Sequence, residues 1–390
     1  MRTEGRLDIT IVRAGQTPRV TISSSRPHGL ARTLIGMKSE QVVATIPLLY
    51  SVCGMAQGAA AAQAVSAASG VCVPNCLRTA RRLLILAEAS REHLIACARD
   101  WAQLAGDNGS EGDSFPILRT YQKLQRAIDC GNNALRIGAD VDLNEADISA
   151  AISELDGLIH TSVLGEPCAQ FLDRTTASAF DDWAADDKTP AQKLATGVLR
   201  AHWAHTGSTT TRSLPRGCAS PLASDLLSQR KKTFTAMPEW EGGCCETTAL
   251  SRQSDQALIK ELYRAYGSGL LTRIAARLID LALLPQIMRR TLANVNFQDV
   301  PWLFESNHFA TECGVSEVET VRGRLIHAVR IQQDIVRNYA ILAPTEWNFH
   351  PAGIAADALM AMASGKNIAE RAKLFLAVLD PCVAFDVRVA

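Results

Sequence analysis

The chain has 390 residues, above the usual domain size of roughly 100–200 residues, so one large domain or two lobes on a shared core both fit. Hydrophobic residues at 47% and charged residues at 21% exclude global disorder. Forty Lys and Arg against forty Asp and Glu exclude a whole-chain positive field for nucleic acid or anionic lipid, while 5% aromatics favour close-packed helices over an all-β sandwich.

Leu7, Ile9 and Ile11 alternate with mostly polar neighbours, Ala14-Gly15-Gln16 reads as a turn, and Val20 and Ile22 resume the alternation. That period of two predicts a small β unit over about 1–25. From about residue 30 the pattern reads as helical. Cys76 to Ala105 sets Leu77, Ala80, Leu84, Ala87, Leu94, Ala98 and Trp101 at three- and four-residue steps, which assigns Arg81, Arg82, Glu88, Arg91 and Glu92 to the opposite side. Pro116 to Leu135 and Asn144 to Ile159 repeat the pattern, with Asn144 as N-cap. Gly58 to Ala64 reads as a tightly packed helix. The stretch Thr206 to Asp225, rich in Ser, Thr, Gly and Pro, is expected to be a flexible surface loop. Asp255 to Leu292 is helical, with a kink or break expected at Pro285, and 315–342 and 351–379 are two further helical stretches. The fold class expected is mainly α (α+β): a helical body over 1–390 as a single domain, with a small N-terminal sheet.

The opening MRTEGRLDITIV has no charged segment followed by an apolar run, so no secretory signal is expected, and no apolar stretch reaches the roughly 20 residues of a spanning helix. Eleven cysteines, odd in number and irregular in spacing, point to reduced thiols and a cytoplasmic protein. Most free cysteines pack as small hydrophobes. Cys72-x3-Cys76, Cys244-Cys245 and His202-x-x-His205 lack the partners of a metal site and read as structural.

Two cysteine segments differ from these: Tyr50-Ser51-Val52-Cys53-Gly54-Met55-Ala56-Gln57 and Asp380-Pro381-Cys382-Val383-Ala384-Phe385. Together they resemble the Arg-x-Cys-Gly-x-Cys and Asp-Pro-Cys-x-x-Cys-x-x-His boxes of the nickel–iron hydrogenase large subunit. Four more segments agree in order. Glu4-Gly5-Arg6-Leu7 is similar to Glu-Gly-His-Leu, and Trp240 to Arg252 keeps Gly242, Glu246, Leu250 and Arg252 of a family segment. Glu319 to His327 is similar to Glu-Ala-Pro-Arg-Gly-x-Leu-x-His, and Ala343-Pro344-Thr345-Glu346-Trp347-Asn348 to Pro-Thr-Thr-Trp-Asn.

The family's four thiolates hold nickel and bridge it to iron. Here the bridging positions are Ala56 and Phe385, and the downstream histidines fall at Ala60 and Arg388. A sulfur-bridged pair of metals cannot be built without those lone pairs, so nickel is not expected and neither is hydrogen turnover of the usual kind. The resemblance implies that Cys53 and Cys382 are metal ligands. Arg322 and Thr345, next to Pro344, would receive the cyanides of an Fe(CN)2CO unit by guanidinium and hydroxyl donors. Glu4 matches a pocket carboxylate, and His327 reads as a hydrogen-bonded core histidine on a helix.

A large-subunit body with half the ligand cysteines resembles the HupK/HoxV group of hydrogenase-maturation proteins. That implies a non-catalytic scaffold for the Fe(CN)2CO precursor. Implied partners are chaperones of the HypC type, a HypD-type iron-cofactor assembly protein and the hydrogenase large subunit. Eight residues follow Cys382, so the resemblance implies no tail for a maturation protease to remove. A divergent redox-active subunit, or a large-subunit mimic acting through protein contacts alone, are the alternatives.

Overall fold

The structure, a computed structural model, describes residues 5–13, 18–27, 29–106, 114–228, 234–293, 302 and 304–390. Glu4 and the turn at 14–16 lie outside them. Strands β1 (Arg6–Val12) and β2 (Arg19–Ser24) form an antiparallel ladder, with Leu7, Ile9 and Ile11 buried as their alternation predicts. Helices α1 (Ser39–Leu49) and α2 (Gly54–Ala68) follow. Helix α3 (Asn75–Ile95) runs on through a π turn into α4 (Trp101–Leu104). Next come α5 (Ser114–Ile128) and α6 (Glu145–Ile159), where the Asn144 side chain accepts from the backbone N–H of Ala146 and Asp147 as expected. Then come α7 (Cys168–Leu172), α8 (Ala177–Ala185) and α9 (Pro190–Arg200).

Several expectations need correction. The stretch taken as a surface loop carries α10 (Ala219–Leu227), whose Leu222, Ala223 and Leu226 are buried; its small and polar residues face outward on only part of the helix. After α11 (Ala249–Gln253), the long helix breaks between α12 (Ala257–Tyr266) and α13 (Leu270–Leu292), and not at Pro285. Gly267 adopts φ +62°, and Gly269 approaches Ala204 so closely that a Cβ would stand 2.4 Å from its carbonyl oxygen. Pro285 stays inside α13, a helix buried on nearly every side, whose packing offsets the missing hydrogen bond.

The largest correction is at 304–342. Strands β3 (Phe304–Ala310), β4 (Cys313–Thr320), β5 (Gly323–Gln332) and β6 (Ile335–Leu342) form an antiparallel sheet in that order where helix was expected from 315. Every residue of β4 is buried, so its alternation vanishes from the sequence. Ile326 and Ala328 face the cluster built on α10, while Val329 and Ile331 face the cluster of α1 and α2. The chain closes with α14 (Pro344–Asn348), α15 (Ile354–Met362), α16 (Ile368–Leu379) and β7 (Ala384–Val389). Strand β7 pairs in parallel with β1, Phe385 opposite Leu7, giving the order β2-β1-β7. Phe385 packs on the cluster of β1, α15 and α16.

The run from Gly58 to Ala64 is fully buried, as expected. It lies so near the sheet that a Cβ on Gly314 of β4 would stand 2.1 Å from the Ala64 carbonyl oxygen. Arg81, Arg82 and Glu88 are also buried, contrary to the amphipathic reading, because α3 is enclosed by α2, α5 and α13. Arg81 donates to the carbonyls of Ala134 and Arg136, each at 2.8 Å. Among the described residues no helix is long and apolar enough to cross a membrane.

Candidate functional site

Cys53 ends a short 3-10 turn and serves as the N-cap of α2. The first N–H groups of a helix lack partners within it. Here the Glu88 carboxylate of α3 takes two of them, from Met55 at 2.9 Å and Ala56 at 3.0 Å. Burial pushes Glu88 up to about 7 against those two hydrogen bonds. Burial also pushes the Cys53 thiol up to about 12, with Glu88 and Cys382 adding and Arg322 and Gln57 opposing.

Gln57 sits one turn further along α2. Its Nε2 donates toward Cys53 Sγ at 3.7 Å, while its Oε1 lies 2.9 Å from His327 Nε2. His327 is on β5, not on a helix, and burial lowers its pKa to about 3, so the ring is neutral. With a proton on Nε2 for Gln57, its Nδ1 accepts from the Tyr339 hydroxyl at 2.8 Å. His327 is thus a hydrogen-bonded core residue, and the chain Tyr339, His327, Gln57 aims one amide N–H at the Cys53 sulfur.

Cys382 follows a turn in which Asp380 has φ +59°. Thr345 Oγ1 of α14 lies 3.1 Å from Cys382 Sγ. The Asp380 carboxylate receives Arg277 at 3.1 Å and Arg322 at 3.3 Å, so one turn presents a thiol and also holds Arg322. Glu92 receives the same Arg322 Nη2 at 3.1 Å. Burial works against that charge, and Asp380 and Glu92 outweigh it and hold the guanidinium above its usual range. Among the described residues, Arg322 Nε and Nη1 are buried with no partner. Gly323 makes the loop possible: at φ +124° a Cβ would stand 1.9 Å from the Thr247 carbonyl oxygen. Asn348 Nδ2 fastens the same loop through the Arg322 carbonyl at 3.1 Å.

Cys53 and Cys382, from opposite ends of the chain, line one cavity of about 180 Å³ together with Arg322, Thr345, Pro344 and Arg26. All five residues that the resemblance selects are brought together. Ala56, buried, lines a smaller space behind Cys53 with Glu88 and Arg322. The residues that sequence reasoning did not select are Arg26, Gln57 and Glu88. Gln57 stood inside a quoted segment, whereas Glu88 was assigned to a solvent face and Arg26 to no motif. The remaining candidates lie elsewhere. Cys72 is exposed, Cys76 is half-buried, and Cys244 Sγ is 3.0 Å from His350 Nδ1. His202 is exposed just past α9, and His205 meets Tyr266 edge-on at 5.3 Å. Among the described residues no three His, Cys, Asp or Glu side chains are grouped to hold a metal ion; besides the two thiols, the cavity lining has one such side chain, Glu346, which is engaged by Arg26.

Comparison with known proteins finds similarity in sequence and in fold. The family model for nickel-dependent hydrogenase matches residues 219–384. The hydrogenase expression/formation protein HupK of Rhizobium leguminosarum bv. viciae is 28% identical over 389 residues, covering 98% of this chain and 95% of that protein. HoxV of Cupriavidus necator is 28% identical over 399 residues, covering 97% and 94%. The nickel–iron–selenium hydrogenase of D. vulgaris Hildenborough superposes with a TM-score of 0.60 at 12% identity, over 93% of this chain and 92% of that one. An NAD+-reducing nickel–iron hydrogenase gives 0.61 at 16% identity, over 93% and 92%. The chain thus has the fold of a nickel–iron hydrogenase large subunit and is similar, over nearly its whole length, to the HupK and HoxV group of hydrogenase expression/formation proteins.

Proposed function

We propose that the protein acts in hydrogenase maturation as a non-catalytic scaffold that receives an Fe(CN)2CO fragment as cargo and passes it on. One observation supports this above the rest. Two thiols meet in a cavity where Arg322 keeps two buried N–H donors without partners. Buried donors left open cost stability unless something accepts from them. A cyanide nitrogen is such an acceptor, and the Thr345 hydroxyl offers a further donor beside Cys382.

Loading replaces two weakly held ligands on iron by two Fe–S bonds, and the two thiol protons leave to solvent. No electron is transferred. With two protein ligands in place of four, the iron can be given up again, as a scaffold requires. The relatives named for hydrogenase expression and formation support the maturation role. Chaperones of the HypC type and a HypD-type assembly protein would deliver the cargo in the cytoplasm, and the hydrogenase large subunit would take it.

The test is infrared spectroscopy and metal analysis of protein purified anaerobically from a host that expresses the maturation machinery. Cyanide and carbonyl stretches with iron and without nickel are expected. A silent spectrum would favour the large-subunit mimic, and nickel with hydrogen uptake would favour a redox subunit.

A further inference from the structure

The cavity contains a second cation that the family resemblance does not account for. Arg26 comes from the segment after β2, 320 residues away from its partner Glu346, to which its Nη1 donates at 2.5 Å. Glu346 directly follows Thr345, so the ion pair stands beside Cys382. Both side chains are largely withdrawn from solvent, 14% and 7% exposed. Arg26 and Arg322 are the cavity's cationic side chains among the described residues.

Charge gives a second cation a part to play. Ferrous iron with two cyanides and two thiolates carries a net charge of minus two. An unpaired charge in such a cavity is strongly disfavoured, and a dianion more so. Arg322 is already engaged by Glu92 and Asp380. Among the described residues Arg26 faces one carboxylate, that of Glu346, and carries a planar fork suited to a second acceptor. We propose that Arg26 is the second cargo-binding guanidinium: it donates to one cyanide of the fragment held by Cys53 and Cys382, with Glu346 as the positioning residue that keeps it at the cavity wall. This rests on the iron-cargo reading above and adds to it a recognition residue. Without that role, the pair would only tie the segment after β2 to α14.

Arg26→Gln, Arg26→Lys and Glu346→Gln proteins, purified like the wild type, separate the two. Iron per chain, cyanide stretches and melting temperature are measured on each. Arg26→Gln should lower iron occupancy roughly tenfold, in line with losses seen when supporting groups around a metal are removed. Arg26→Lys keeps the charge but loses the fork, so it should retain more iron with displaced cyanide bands. Glu346→Gln should displace the bands less. If Arg26→Gln melts too low to purify, Arg26→Lys and Glu346→Gln decide. Wild-type iron with undisplaced cyanide bands in the variants would overturn the role of Arg26 and leave the cargo reading intact. A wild-type protein with neither cyanide nor carbonyl bands would overturn both.

Discussion

The two thiols of the cavity are held in different ways. Cys53 stands at the start of a helix wedged between a sheet and a second helix, with Glu88 on its first amides and a three-residue hydrogen-bonded chain that ends in Gln57. Cys382 sits on a turn between α16 and the edge strand β7, with one hydroxyl as its neighbour. Cys53 is thus a post fixed on several sides, and Cys382 a jaw with fewer direct hydrogen-bond partners. A scaffold that must both hold and release a fragment needs this asymmetry, since two equally rigid ligands would bind without letting go.

The largest expected effect tests whether both parts are needed. Cys53→Ser and Cys382→Ser should each bring iron to background and impair maturation, while Cys72→Ser and Cys76→Ser should change neither. Retention of wild-type iron in either variant would show that one thiol suffices and remove the need for the pair.

The next contrast is in stability. Gly314→Ala pushes a methyl group into the Ala64 carbonyl behind the Cys53 helix, 2.1 Å away, and should cost about 3 kcal/mol or more in urea unfolding. Ala384→Ser, exposed at the start of β7 beside Cys382, should stay within about 0.5 kcal/mol. Equal losses would erase the distinction between a rigid and a tolerant arm.

His327 gives the fixed arm a pH signature. Its ordinary value of 6.5 falls to about 3 in the folded protein. The unfolded chain therefore binds the proton first, and stability is complete above 6.5 and lost as pH falls toward 3. Between pH 6.5 and 5 the loss is roughly 2 kcal/mol. His327→Gln should flatten that slope in parallel urea titrations, and an unchanged slope would remove His327 as its source.

These contrasts also mark what could be read from the sequence. Cys53, Cys382, Arg322, Thr345 and Pro344 were found through short segments matched in order, and the helical body followed from period-3.6 patterning in α3, α6 and α13. The four-stranded sheet was not found, because Val315, Val318, Ile326 and Val329 are buried on both faces and leave no alternation to see. Arg81, Arg82 and Glu88 imitate a solvent face, since nothing local reveals that α3 is enclosed. Arg26 could not be found at all before folding: its role depends on a carboxylate 320 residues away.

Thiol chemistry supplies a finer comparison. The thiolate is the species that iodoacetamide attacks, and burial holds Cys53 as a thiol up to about pH 12. Cys382, on its turn, should react roughly tenfold faster at pH 8, as peptide mapping of partly alkylated protein would show. Prior loading with iron should protect both. Faster labelling of Cys53 would reverse the assignment of post and jaw.

The smallest effect concerns the hydroxyl beside the jaw. Thr345 Oγ1 lies 3.1 Å from Cys382 Sγ, close enough to donate to it once the sulfur is a thiolate. A hydrogen bond to a neutral thiol contributes little, whereas one to a thiolate contributes about 1–2 kcal/mol. Thr345→Val keeps the shape and removes the donor. It should leave the unfolding midpoint nearly unchanged while slowing the alkylation of Cys382 severalfold across the pH profile. Thr345→Ser, which restores a hydroxyl, should return the profile toward that of the wild type. A Thr345→Val profile identical to the wild type would assign the hydroxyl to packing beside Cys382, with no part in setting its charge.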